Sequence, residues 1–188
     1  MDHDIENYYR TAEKLCRHAG EVIKEAFYQD KLVEQKSSIG DLVTETDKKV
    51  EDMVVRKLLE IFPSHEFIGE ENTAAGKENI LSDKPTWVID PIDGTNNFVH
   101  RFPFVCISVG LLIEKKPVVG IIYNPITDEY YHAIKGQGAF CNGERIHVKK
   151  TEELKDALLC TEFGSSRDKD ILDVKLGNMR KIIDYVHG

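Results

Sequence analysis

Apolar residues at Ile5, Tyr8, Ala12, Leu15, Cys16, Ala19, Val22, Ile23, Ala26 and Phe27 recur every three or four positions, which predicts an amphipathic helix from Asp4 to Gln29. Leu32 and Val33 suggest a short extended piece, and Ser37-Ser38-Ile39-Gly40-Asp41 reads as a mobile loop with Lys36 at its edge. A second stripe, Val50, Met53, Val54, Leu58 and Ile61, predicts a helix from Thr44 to Phe62 that Pro63 ends. Its opening, Thr44-Glu45-Thr46-Asp47, suits a helix N-terminus, where a hydroxyl and acidic groups satisfy the first N–H donors. Capping is the simplest role for Asp47. Glu66-Phe67-Ile68-Gly69 then reads as a short strand running into Glu70-Glu71, followed by a polar loop from Asn72 to Pro85.

From Trp87 the pattern turns β-rich. Trp87-Val88-Ile89 reads as a buried strand that stops at Asp90, and Val105–Ile113, Val118–Tyr123 and Tyr130–Ile134 read as strands joined by turns at Glu114–Pro117 and Asn124-Pro125. Gly136-Gln137-Gly138 lacks the third glycine and the following helix of a phosphate loop, so a tight turn is expected there. Ala157–Phe163 reads as another strand and Arg167–Val186 as another amphipathic helix, with Ile171, Val174, Met179, Ile182, Ile183 and Val186 inward. Alternation of this kind implies packed α and β layers without an internal repeat.

Composition narrows the function classes. The 188 residues, 41% hydrophobic and 31% charged, suffice for one large domain with a real core, or one domain plus part of another. Acidic residues outnumber basic ones 33 to 25, and no Lys/Arg block resembles a nucleic-acid footprint. No apolar run approaches a membrane span, and the charged start Met1-Asp2-His3-Asp4 holds no signal-peptide core. The cysteines Cys16, Cys106, Cys141 and Cys160 lie far apart in apolar contexts, which predicts buried free thiols in a reducing cytoplasm. The histidines show no zinc-binding spacing.

The candidate chemistry sits at Asp90-Pro91-Ile92-Asp93-Gly94-Thr95-Asn96-Asn97-Phe98. Pro91 cannot donate a ladder hydrogen bond and Gly94 permits positive φ, so a tight bend is expected around Asp90 and Asp93. Two carboxylates held close repel each other unless a proton or cation lies between them. Asp-Pro and Asp-Gly are also ordinary surface-turn pairs. Glu70-Glu71, however, follows a strand in the same way; if the two strands are neighbours, three or four carboxylates gather in one pocket. An all-oxygen set, with the Ile92 carbonyl available, favours Mg²⁺, with Mn²⁺ as a substitute. Such sites clamp phosphate oxygens and orient a water, which points to a phosphatase.

Asp90 to Phe98, continuing Val99-His100-Arg101-Phe102-Pro103-Phe104, closely resembles the signature of inositol monophosphatases, of the wider lithium-sensitive, Mg²⁺-dependent phosphatase superfamily. Gly40–Asp47, Phe67–Glu71 and Gly136–Gly143 add to the resemblance. It implies an α/β (α+β) fold, a layered αβαβα sandwich of the inositol monophosphatase and fructose-1,6-bisphosphatase type. It also implies that Glu70, Asp90 and the Ile92 carbonyl bind the first metal and that Asp90 and Asp93 contribute to a second, with Glu70 facing a weaker third. Thr95, with Glu70 and Asp47, positions and deprotonates the attacking water; Gly94, Thr95 and Asp93 contact the substrate; Lys36 sits on a mobile loop near the site. Asn96 stands where many relatives have threonine. A phosphate monoester substrate, myo-inositol 1-phosphate among them, a cytoplasmic location and a homodimer are further implications.

Family members are expected to continue well beyond this chain, through a Trp-Asp motif that completes the second metal site and through residues that recognise the inositol ring. Trp87 is the only tryptophan and no Trp-Asp pair is present. Residues 1–145 are therefore expected to form the metal-site α/β domain and 146–188 the start of a C-terminal part whose final layers are incomplete. A catalytically impaired short form, acting as a dimerisation or regulatory partner of a full-length enzyme, is the alternative function.

Overall fold

The computed structural model describes residues 4–35, 42–74, 76, 80–162, 164 and 166–187. Helix α1 (Ile5–Phe27) forms where the first apolar stripe predicts it, and the Asp4 side chain caps it by accepting from the Asn7 N–H at 3.1 Å. Helix α2 (Glu45–Ile61) begins on the expected capping box, with Thr44 as N-cap and Asp47 reaching back to it. Val50, Val54 and Leu58 are buried, but Ile61 is 51% exposed. The helix ends there, and Phe62, outside helical conformation, is buried instead.

The strands are β1 (Val33–Gln35), β2 (Leu42–Thr44), β3 (Glu66–Gly69), β4 (Thr86–Asp93), β5 (Cys106–Ile113), β6 (Lys116–Asn124), β7 (Glu129–Ile134), β8 (Gly138–Cys141) and β9 (Glu144–Ile146). A seven-stranded sheet takes β3 to β9 in sequence order. Strands β3 and β4 are parallel and every later pair is antiparallel. Glu114 and Lys115, both at positive φ, make the two-residue turn between β5 and β6 that matches the right-handed strand twist. Ala12, Cys16, Ala19 and Ile23 of α1 share one core with Val50, Val54 and Leu58 of α2 and with Trp87, Ile89, Ile107, Val109 and Leu111 of the sheet. The fold is thus mixed α/β, and the antiparallel strands alternate between the helix-covered face and the other face.

Two short helices, α3 (Glu70–Ala74) and α4 (Thr95–Val99), interrupt the strands at the edge that carries the acidic motifs. Helix α3 runs from Glu70 into the start of the polar segment expected as loop from Asn72, because a single turn leaves no periodic signal. By contact density the chain divides into Met1–Glu34 with Val43–Ile146, and Gln35–Leu42 with His147–Gly188. In the second unit, the strand expected at Ala157–Phe163 is replaced by a 3₁₀ turn (Leu154–Asp156) and one isolated bridge, Leu158 to His187; Phe163 lies outside the described residues. A strand needs a ladder partner, and Leu158 is 79% exposed.

Helix α5 (Lys169–Ile182) is shorter than the apolar pattern suggests. Asp168 starts it by accepting from the Asp170 and Ile171 N–H groups, and a 3₁₀ turn ends it at Ile183–Tyr185. Met179, Ile182, Ile183 and Val186 line a cavity of about 490 Å³ with Leu159 and Cys160, whereas Ile171 and Val174 are exposed.

The cysteines are free, but only Cys16 is buried; Cys106 and Cys141 are half-buried and Cys160 is exposed. Cys106 is the first residue of β5 and Cys141 the last of β8, and Cys160 lies outside any ladder, so apolar neighbours in sequence do not bury them. Among the described residues no helix is long and apolar enough to cross a membrane.

Candidate metal centre

Parallel pairing of β3 with β4 aligns Gly69 with Ile89. The next residues, Glu70 and Asp90, therefore leave adjacent strands at the same level, as the recurrence of carboxylates after apolar strands suggests. Strand β4 does not end at Asp90. It runs to Asp93, and Asp90 pairs with Ser108 while Asp93 pairs with Cys106, so Pro91 and Ile92 together oppose Ile107. This is a β-bulge, one of the few places in a sheet where a proline without an N–H is tolerated. Ser108 and Cys106 share one face of β5, which puts Asp90 and Asp93 on a common face.

The turn falls at Gly94, at the positive φ (+90°) its sequence permits, and not at Pro91. A Cβ there would stand 2.8 Å from the Phe104 carbonyl oxygen, so both conformation and space select glycine. Helix α4 starts at Thr95. The Thr95 hydroxyl lies 3.1 Å from Asp47 Oδ1 and 3.1 Å from the Ile92 carbonyl, and its single proton serves one of the two at a time.

Asp47 has the capping role that the sequence suggests. Its Oδ2 accepts from the Thr44 N–H at 2.8 Å and from the Thr44 hydroxyl at 2.5 Å, which completes the cap of α2. Its other oxygen faces Thr95. Asp47 is fully buried, and burial raises its proton affinity against the opposing effect of the Thr44 and Thr95 hydrogen bonds.

Asp90 is the most perturbed carboxyl of the set. Burial is the largest cause, followed by the charges of Glu70, Asp93 and Asp47, and together they push its pKa up to about 8. Glu70 also lies within hydrogen-bonding reach of it. Asp90 Oδ1 is buried with no hydrogen-bond partner among the described residues. An orphaned carboxylate oxygen amid the charges of other carboxyl groups is a donor set that fits a hard divalent cation. The set is not closed: among the described residues no three His, Cys, Asp or Glu side chains are already gathered into a coordination shell. Cys106 Sγ stands 3.9 Å from Asp93 Oδ2. Burial and the charges of Asp93 and Asp90 push its pKa up to about 12, so without a cation the thiol stays protonated.

The structure thus brings together Asp47, Thr95 and the Ile92 carbonyl by hydrogen-bonding distance, and Glu70, Asp90 and Asp93 by mutual electrostatics. Gly94 joins the two groups. Lys36 lies outside the described residues. Sequence reasoning passed over Glu51, a buried carboxylate one helical turn after Asp47 that accepts the Glu71 and Asn72 N–H groups. Its position on the inward stripe of α2, next to Val50 and Val54, was the available signal.

The sequence profile of the inositol monophosphatase family matches residues 4–185. The chain is 52% identical over 180 residues to inositol monophosphatase 2 of Solanum lycopersicum, covering 95% of this chain and 68% of that protein. It is 51% identical over 175 residues to inositol monophosphatase 1 of Homo sapiens, covering 93% and 63%. A staphylococcal inositol monophosphatase-1, in an inhibitory complex soaked with lithium chloride, superposes with a TM-score of 0.73 at 29% identity, covering 84% of this chain and 58% of that one. The chain spans about two thirds of the length of the tomato and human relatives, 68% and 63% respectively.

Proposed function

The chain belongs to the inositol monophosphatase family, and from that premise we propose that it is a Mg²⁺-dependent phosphomonoesterase acting on inositol monophosphates such as myo-inositol 1-phosphate. The observation that carries the proposal is the buried Oδ1 of Asp90, without a hydrogen-bond partner among the described residues, amid the charges of Glu70, Asp93 and Asp47. Glu70, Asp90, Asp93 and the Ile92 carbonyl hold the cation. When bound, Mg²⁺, or Mn²⁺ in its place, polarises the phosphoryl group and acidifies a water.

The chain's own residues do the rest. Thr95, donating its proton to Asp47 Oδ1, keeps its lone pairs free to accept from the attacking water. Asp47, whose burial raises its proton affinity, and Glu70 take up the proton that water gives up. Gly94, at the positive-φ turn, and Thr95 after it, both half-exposed, contact the substrate phosphate, and Asp93, exposed at the strand end, contacts the substrate as well. Lithium sensitivity belongs to the same proposal, supported by the lithium-soaked staphylococcal relative. So do a cytoplasmic location, which the free cysteines suit, and a homodimeric state.

The test is phosphate release from myo-inositol 1-phosphate during a Mg²⁺ titration, with Asp90→Asn as the control. Release that saturates with Mg²⁺ and falls to background in the variant is expected. Turnover that ignores Mg²⁺ or survives the substitution overturns the assignment.

A further inference from the structure

Glu51 is a buried carboxylate for which the proposed hydrolysis has no use. It is 1% exposed and stands on α2 one turn beyond Asp47. Its Oε2 accepts from the Glu71 N–H at 2.8 Å, and its Oε1 accepts from the Asn72 N–H at 3.0 Å and from the Asn72 side-chain amide. These are the first N–H groups of α3, which an α-helix leaves without intrahelical partners. Helix α3 is only five residues long, far too short to hold its own conformation. The fit is close: a Cβ on Gly69 would run into the Glu51 carboxylate. On the other side of the turn, the Thr73 hydroxyl donates to the Gly69 carbonyl at 2.5 Å. The backbone of Glu70 is therefore held between Gly69 and Glu71, both of which are set against Glu51.

Asp47 and Glu51 lie four residues apart, on the same face of α2. One ties the helix to Thr95 and the other to the turn that carries Glu70. We infer that Glu51 is a positioning residue, anchoring the start of α3 so that the Glu70 carboxyl stands beside Asp90 and thereby setting the affinity of the site for a divalent cation. The inference rests on the metal-site reading above. Charged groups that orient the immediate ligands of a metal typically set its affinity by a factor of about 10–100.

Direct Mn²⁺ binding to the full chain, followed by electron paramagnetic resonance of the free ion, tests it without reference to turnover. Glu51→Gln keeps the size of the side chain but turns an NH₂ toward one of the backbone N–H groups, and a roughly tenfold or greater loss of Mn²⁺ affinity is expected. Asn72→Ala leaves the Glu51 charge in place, removes one of its partners, and should weaken binding several-fold with melting nearly unchanged. The decisive comparison is Glu51→Gln with Glu70→Gln. If Glu51 acts through Glu70, the double variant binds Mn²⁺ no more weakly than Glu70→Gln alone. Wild-type affinity in both Glu51→Gln and Asn72→Ala, or additive losses in the double variant, overturns the positioning role while leaving the metal site standing. A wild-type chain that binds no Mn²⁺ overturns both.

Discussion

Thr95 and Asp47 meet across 48 residues of sequence, the hydroxyl at the start of α4 reaching a carboxylate at the start of α2 at 3.1 Å. Two helix N-termini thus converge on one proton. Replacing Thr95 by Ala removes the hydroxyl and should lower kcat by about 10²–10⁴-fold, the usual range for general acid–base assistance, with KM nearly constant. Thr95→Ser should restore most of the rate. Steady-state kinetics of the two variants checks this, and an equal loss in both counts against the hydroxyl's role.

Asp47→Asn should separate the same carboxylate's two roles. The amide can still accept from the Thr44 N–H, so the cap of α2 is largely kept and the stability loss should stay within about 0.5–2 kcal/mol. The rate should fall as far as in Thr95→Ala. Urea denaturation alongside phosphate release distinguishes a folding defect from a chemical one.

Burial and neighbouring carboxyl groups raise Asp90 from 3.8 to about 8, so without metal the folded state holds a proton that the unfolded chain releases. The folded state binds more protons throughout that window. Metal-free stability is therefore greatest below pH 4 as far as this group is concerned, and it falls as pH rises through about 8. Added Mg²⁺ should reverse the trend, because cation and proton compete for the same oxygens and affinity rises until the proton is gone. Melting curves from pH 5 to 9 in EDTA and in Mg²⁺ should diverge with pH, and parallel curves would refute the coupling. Asp90→Asn should flatten the EDTA curve.

Gly94→Ala should be among the most disruptive single-methyl additions in the chain. The new Cβ meets both a positive φ and the Phe104 carbonyl, and a cost of about 1–3 kcal/mol is expected from equilibrium unfolding. Gly136→Ala, also at positive φ but with open space around it, isolates the conformational part and should cost less.

Much of this was open to inspection in the sequence, for physical reasons. The apolar stripe of α1 sets its buried face, and Thr44-Glu45-Thr46-Asp47 caps α2 where its hydroxyl and carboxylate say it should. Carboxylates follow both Phe67-Ile68 and Trp87-Val88-Ile89, and the condition for gathering them, that the two strands be neighbours, is met by β3 and β4. What failed depended on partners that periodicity does not record. Ala157–Phe163 has strand-like residues but no ladder to join, and Cys160 sits in apolar text yet on the surface. Turn residues around Pro91 suggested a bend, whereas β5 holds the chain extended through a bulge to Asp93. Glu51 takes its meaning only from its burial against α3.

The bulge at Pro91 and Ile92 also decides how this centre can be altered by mutation. The oxygen that Ile92 offers beside Thr95 belongs to the main chain, so all twenty residue types at that position would carry it. A scan of single substitutions would score Ile92 by its packing in the core and remain blind to its carbonyl. Only a change in the number of residues between Asp90 and Asp93 could remove the extra peptide from that strand. Insertions and deletions, which a sheet normally tolerates least, are therefore the lesions that would expose this oxygen's contribution.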